Sequence, residues 1–145
     1  MDEQDEKLIR ELKKNARASI SILSRKLGLP RTTIHYRMRK LIKEGIIKGF
    51  TVKLDYKKLG KGTTAFILAT YDPSSGISQR EVAKSISLLD DVAEVHIISG
   101  EWDLLIKVRS SSVEEIGRIV VDKLREIRGV KSTMTCVSFV AVKEE

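Results

Sequence analysis

The sequence predicts an α+β protein in which a helical N-terminal domain is followed by a four-stranded sheet domain. The hydrophobic pattern changes from helical spacing to alternation near Thr63. In the second half, the Ser-x-x-Glu sequences at residues 78–81 and 112–115 have the spacing of N-terminal capping boxes and indicate two helix starts. Residues 1–59 contain 16 Lys and Arg against 7 Asp and Glu, whereas residues 60–145 contain 11 against 13. This asymmetry indicates that the first domain meets a polyanion and the second does not.

Three short helices are expected in the first half. Asp2 and Ser19 are suitable N-caps for the first two, and Pro30 or its neighbour suits the first turn of the third. Gly28 and Gly45 should end the second and third helices. The apolar residues that give the third helix a buried stripe are Ile34, Met38, Leu41 and Ile42. Two short helices, a glycine turn and a third helix with a polar face are typical of a helix-turn-helix domain.

A segment with strand-forming composition follows the third helix. Residues 46–54 are rich in β-branched side chains, and Lys48-Gly49 is a favourable turn sequence. A hairpin, the wing of a winged helix-turn-helix, is therefore expected there. The predicted domains are residues 1–54 for the helix-turn-helix, residues 55–62 for a polar hinge, and residues 63–145 for the second domain.

The second domain is predicted to have the βαββαβ element order of a ferredoxin-like fold. Its strands are expected at residues 63–71, 92–99, 103–109 and 130–142. In the first strand, Ala65 and Ile67 point to one face, and Phe66 and Leu68 point to the other. Both helices of this fold pack on the same face of the sheet. The other apolar face must therefore be shielded from solvent by a different element or by another molecule. We expect a second copy of the chain there, and hence a homodimer.

The third helix carries the candidate DNA-contacting residues. At 100° per residue, its polar and basic side chains lie opposite or beside the apolar stripe. Hydroxyls and arginines reach base edges, and other cations meet phosphates. A solvated lysine-rich helix is the alternative, but Glu44 is the only acid between Arg25 and Lys48. The residues expected to contact DNA are Arg31, Thr32, Thr33, His35, Tyr36, Arg37, Arg39, Lys40 and Lys43.

A series of motifs along the whole chain resembles one known family. They are D-x-x-D-x-x-L-I-x-x-L at Asp2–Leu12, NARAS at Asn15–Ser19, LSRKLGL at Leu23–Leu29, RTTIHYRMRKL at Arg31–Leu41, EGIIKGF at Glu44–Phe50, SGEWDLLIKV at Ser99–Val108 and GVKSTMT at Gly129–Thr135. Each motif is weak alone, but their order resembles the Lrp/AsnC family of leucine-responsive or feast/famine regulators. The resemblance implies a helix-turn-helix joined through a hinge to a ferredoxin-like domain. It also implies dimers, often assembled into octamers, and control of amino-acid metabolism genes.

The resemblance further implies an amino acid or amino-acid-like effector bound between subunits. Residues 100–103 match the family's G-x-x-D effector loop. Backbone N–H groups of a glycine turn suit a carboxylate, and an aspartate suits an ammonium. A plain hairpin turn, in which Gly and Asp are common, is the alternative. The implied effector-binding residues are Gly100, Glu101, Trp102, Asp103, Ser132, Thr133 and Thr135.

Other classes of function are not supported by the sequence. It contains no P-loop, dinucleotide fingerprint, metal-spaced His/Cys set or nucleophile elbow, so neither an enzyme nor a bound cofactor or metal is expected. Cys136 is the single cysteine and no apolar run is long enough for a membrane span, so a cytoplasmic protein is expected. The expected partners are double-stranded DNA, a second copy and a small effector. An architectural DNA-binding protein without an effector is the alternative.

Overall fold

The chain divides into two units, Met1–Leu54 and Asp55–Glu145, in a computed structural model that describes residues 1–145. The first unit contains helices α1 (Glu3–Lys14), α2 (Ile20–Leu27) and α3 (Arg31–Lys43). Their apolar stripes meet in one core, as the helical spacing predicts. The buried residues of that core are Leu8, Leu12, Leu23, Ile34 and Leu41.

The predicted helix boundaries of the first unit are confirmed by their caps. Ser19 accepts a hydrogen bond from the Ile22 N–H at 3.2 Å, and α3 begins directly after Pro30. Gly28 ends α2 with a φ of 65°, a left-handed conformation that glycine adopts without a Cβ penalty. These local signals fix where α2 stops and α3 starts, and therefore which residues of α3 are exposed.

The hairpin predicted around Lys48-Gly49 is wrong. Residues 46–54 contain no strand. The N–H groups of Ile46 and Ile47 bond back to the Leu41 carbonyl at 3.0 and 3.1 Å, so this stretch begins by closing the end of α3. Strand-forming side chains need a partner strand, and none is present in this unit.

The second unit is one antiparallel sheet with strand order β2-β3-β1-β4, which confirms the ferredoxin-like prediction. Its strands are β1 (Thr63–Tyr71), β2 (Val92–Ile97), β3 (Leu104–Ser110) and β4 (Val130–Ser138). Both β2 and β4 end earlier than predicted. Helices α4 (Gln79–Ser87) and α5 (Val113–Arg118) supply buried side chains to the same core as β1 and β3. No helix of the chain is long and apolar enough to cross a membrane.

The second helical segment of this unit departs from the regular helix expected. Ser112 caps it by accepting the Glu115 N–H at 3.1 Å, but the Glu115 carboxylate pairs with Arg118 at 2.7 Å. After α5 the chain continues as a π-helix, Ile119–Leu124. The wider turn places Ile119 in the core together with Ile116, Val120 and Leu124.

Candidate DNA-contacting face and effector loop

Helix α3 presents most of the predicted DNA-contacting residues to solvent. Its apolar face is fixed by Ile34 and Leu41, which are fully buried. Thr33 and Lys40 are partly buried at the margins of the exposed face, and Tyr36 is 68% exposed near its centre. The exposed members of the predicted set are Arg31, Thr32, His35, Tyr36, Arg39 and Lys43. Together they offer hydroxyl, imidazole, phenol and cationic groups on one surface, which is the mixture that a major groove recognises.

The charges of the first unit leave this face cationic. Two acids of α1 are paired locally: Glu3 pairs with Lys7 at 2.7 Å, and Glu11 pairs with Lys14 and Lys26 at 2.6 and 3.0 Å. No ion pair involves the three cations of the exposed α3 face, Arg31, Arg39 and Lys43. These three side chains are therefore available to a polyanion.

Arg37, which the sequence predicts to contact DNA, is instead engaged in ion pairs within its own unit. Its Nη1 donates to both carboxylate oxygens of Asp2 at 2.7 Å and to Oδ1 of Asp5 at 2.7 Å. The Arg37 side chain is 20% exposed, and the Asp5 side chain is 1% exposed. Since its charge is already matched by two carboxylates, Arg37 ties α3 to the start of α1. We call Arg37, Asp2 and Asp5 together the Arg37 clamp.

The same two carboxylates also cap α1. Oδ1 of Asp2 accepts the Asp5 N–H at 2.9 Å, and Oδ2 of Asp5 accepts the Asp2 N–H at 3.0 Å. This is a capping box in which aspartate stands in the third helical position. The D-x-x-D spacing in the sequence is compatible with this capping box. The pairing of Asp2 with Arg37, 35 positions away, did not follow from the spacing.

The clamp changes the ionisation of its members. The hydrogen bond from Arg37, followed by that from the Asp5 backbone, lowers the pKa of Asp2 to about 2. The pKa of Asp5 is also lowered, first by the Asp2 N–H and then by Arg37. Hydrogen bonds to Asp2 and Asp5 raise the pKa of Arg37. Both carboxylates are thus held in their charged form.

Acid should weaken the first unit as the clamp protonates. Because the folded-state pKa values of Asp2 and Asp5 lie below the unfolded value of about 3.9, their contribution is complete above that pH and is lost as the pH falls toward 2. Arg37→Gln removes a main cause of these pKa shifts. As the pH is lowered, the amide NMR signals of α1 should therefore disappear at a higher pH in this variant than in the wild type. NMR titration measures this, with Arg10→Gln as the control for losing a surface arginine. Equal midpoints in all three proteins would contradict the assignment.

The predicted effector loop connects β2 to β3. Gly100 has a φ of 109°, a conformation that other residues adopt only with strain. Asp103 is partly buried at the end of the loop, and its Oδ2 accepts the Tyr71 N–H at 2.7 Å. Its backbone N–H donates to the Ala69 carbonyl at 3.0 Å. Asp103 therefore joins the loop to the end of β1, and its Oδ1 accepts no hydrogen bond from the protein.

The other predicted effector residues lie on the strand that flanks β1 on its other side. Thr133 pairs with Ala69 in the register of β1 and β4, so it reaches the same end of the sheet as Asp103. Ser132 hydrogen-bonds the Thr70 hydroxyl at 2.5 Å and faces the opposite side of the sheet from Thr133. Thr135 lies further along β4, opposite Ile67. The structure thus brings Thr133 and Asp103 to one end of the sheet, and it separates Ser132 and Thr135 from them by face and by position.

Comparisons with known proteins agree with both halves of the chain. Residues 1–48 match the winged helix-turn-helix DNA-binding family, and residues 64–145 match the Lrp/AsnC ligand binding domain. An HTH-type transcriptional regulator of Pyrococcus horikoshii is 63% identical over 100% of this chain and 97% of its own length.

Solved structures share the fold over the whole chain. Bacillus subtilis LrpC has a TM-score of 0.88 at 27% identity, over 100% of this chain and 99% of LrpC. A Neisseria meningitidis transcriptional regulator in complex with L-methionine has a TM-score of 0.92 at 21% identity, over 99% of this chain and 93% of that one. The helix-turn-helix with its cationic α3, the ferredoxin-like sheet and these matches lead to one conclusion: the chain belongs to the Lrp/AsnC family and is a DNA-binding transcriptional regulator, not an enzyme.

Proposed function

We propose that this regulator reads specific operators as a homodimer and responds to an amino acid or amino-acid-like effector bound near Gly100–Asp103. The observation that carries the proposal is the exposed face of α3, where Tyr36, Arg39 and Lys43 lie unpaired. Glu3 and Glu11 of α1, by contrast, are paired with lysines of the same unit. A face with both hydrogen-bonding groups and free cations suits base contacts and phosphate contacts together.

The homodimer is supported by the sheet face that no helix covers, which we call the helix-free face. In its centre Phe66 is 36% exposed and Met134 is 43% exposed. Apolar surface of this kind on a sheet is stabilised by packing against another sheet. A two-fold dimer would present two α3 helices to DNA, and helix-turn-helix dimers read half-sites about 34 Å apart, which is one helical turn, or a multiple of that.

Four observations support an effector near Gly100–Asp103. Residues 64–145 match a domain described as ligand-binding, and a protein of the same fold was solved with L-methionine. Asp103 keeps Oδ1 available for an ammonium while Oδ2 is occupied by Tyr71. Residues 60–145 carry 11 cations against 13 acids, which disfavours a second DNA site in this domain.

The fluorescence of Trp102 can report effector binding. Trp102 is the single tryptophan and is partly buried in the loop, so at least one amino acid should shift its fluorescence on titration. Asp103→Asn keeps an oxygen for the Tyr71 N–H but removes the charge, and should weaken binding about ten- to a hundredfold, as expected for a hydrogen bond to a charged group. Asp122→Asn on the exposed side of the π-helix is the matched control.

The absence of any response in this titration would favour a different function. If no amino acid changes Trp102 fluorescence and calorimetry detects no heat, the loop is a structural turn. The chain would then be better described as an architectural DNA-binding protein without an effector, provided that its footprint on DNA is also uniform. A fluorescence response that Asp103→Asn leaves unchanged would instead place the effector elsewhere in the domain.

A further inference from the structure

The helix-free face is covered at one end by the chain's own C-terminal tail. Residues 139–145, which follow β4, cross back over the sheet and form a groove of about 560 Å³ with it. The sheet residues that line the groove include Thr64 and Phe66 of β1 and Lys107 of β3. We call this stretch of seven residues the arm. It covers the end of the face where β1 starts and β4 stops.

The arm is held by a charge contact on the sheet. Oε2 of Glu144 lies 2.5 Å from Nζ of Lys107 and 3.0 Å from Nη2 of Arg109. Both cations are largely withdrawn from solvent, with side chains 10% and 15% exposed. The Arg109 guanidinium also stacks on the Tyr56 ring, 4.0 Å from its centroid. Hydrogen bonds between charged groups in such surroundings are among the strong ones in proteins.

The large apolar side chains of the arm remain mostly exposed to solvent. Phe139 is 97% exposed, and Val140 and Val142 are also largely exposed. The tail is therefore anchored by an ion pair, while its aromatic ring stays in water. This apolar surface has no partner within the chain. The arm therefore offers a contact for something outside this copy of the chain.

The opposite end of the helix-free face is uncovered and apolar. Leu68 of β1 lies between Leu105 of β3 and Met134 of β4 in the register of the sheet, and Met134 is 43% exposed. One face thus has an arm at one end and an open apolar surface at the other. A two-fold axis that lies between two packed faces and runs perpendicular to the strands would place the arm of each copy on the open end of its partner, so the two contacts are identical and self-complementary.

We propose that the arm is a dimer clasp: Glu144, anchored on Lys107 and Arg109, presents Phe139 to the open end of the helix-free face on a second copy. This inference rests on the proposed homodimer and specifies which residues stabilise it. Phe139 is the central aromatic anchor of the contact, because buried aromatic residues carry a large share of interface energy. Met134 of the partner subunit is its counterpart.

Sedimentation velocity of the full-length chain measures the dimer dissociation constant. Glu144→Gln and Phe139→Ala should each raise it on the order of tenfold or more. Glu126→Gln, which removes an exposed carboxylate from the segment after the π-helix, should leave it unchanged. Phe139→Ala combined with Met134→Ala should cost less than the product of the two single effects, because the two side chains touch across the dimer. Circular dichroism checks that each variant is folded.

The outcomes separate the clasp from the homodimer itself. A wild-type dimer whose dissociation constant is unaffected by Glu144→Gln and Phe139→Ala overturns the clasp and leaves the proposed homodimer standing. Independent, multiplying effects of Phe139→Ala and Met134→Ala overturn the placement of the arm on the partner's open end. A wild-type chain that is monomeric at micromolar concentration overturns the homodimer, and the clasp with it.

Discussion

Arg37→Ala is expected to reduce operator affinity on the order of a hundredfold, although we do not expect Arg37 to contact DNA. The reason is that Arg37 joins α3 to α1 through Asp2 and Asp5, each at 2.7 Å. Without it, the largely buried Asp5 carboxylate loses its cation and α3 loses a fixed orientation. Two disturbed base contacts, at about 1–3 kcal/mol each, are enough for this effect.

Fluorescence anisotropy over a range of salt concentrations tests the Arg37 prediction. A positioning role predicts weaker specific binding, a lower unfolding temperature of the first unit and an unchanged salt slope, because no phosphate contact is lost. Arg37→Lys should restore part of the affinity, since one ammonium reaches a carboxylate but lacks the guanidinium fork. A flatter salt dependence with unchanged thermal stability would show that Arg37 binds phosphate after all, as the sequence alone suggested.

Tyr36→Ala and Arg39→Ala should weaken specific binding by direct loss of contacts while leaving the fold intact. Both side chains are exposed on α3 and support no core packing. Each lost base contact should cost about 1–3 kcal/mol, which is roughly five- to 150-fold, and should relax the preference at the affected base pair. Lys43→Ala should instead weaken all sequences alike and reduce the salt slope by about 1.

Competition binding with operator variants measures these three effects separately. The difference between Arg39→Ala and Lys43→Ala is the informative one, because both remove one exposed cation from the same helix face. If Tyr36→Ala, Arg39→Ala and Lys43→Ala all leave operator affinity unchanged, α3 is not the recognition helix.

The elements of the fold were predictable because their signals are local. Asp2, Ser19 and Ser78 cap helices through side chains that reach only three residues ahead. The exposed face of α3 was predictable because helical periodicity fixes it once Ile34 and Leu41 are assigned to the core. The strand order also follows from the pattern, since βαββαβ has few compact arrangements.

The features that the sequence did not reveal depend on residues that are distant along the chain. Arg37 was assigned to DNA because its position on α3 is marginal, and its pairing with Asp2 and Asp5 depends on how α1 packs. Residues 46–54 have strand composition but no partner strand in their unit. The anchoring of the arm was not predicted, because the Glu144–Lys107 contact joins positions 37 residues apart.

Footprinting of the full-length chain on DNA fragments selected from a genomic library tests the central claim most directly. A sequence-specific dimeric regulator predicts discrete protected sites made of two half-sites about one helical turn, or a multiple, apart. These footprints should disappear with Arg39→Ala at concentrations where the wild type protects fully. Uniform protection of every fragment, unchanged by Arg39→Ala, would contradict operator recognition by α3.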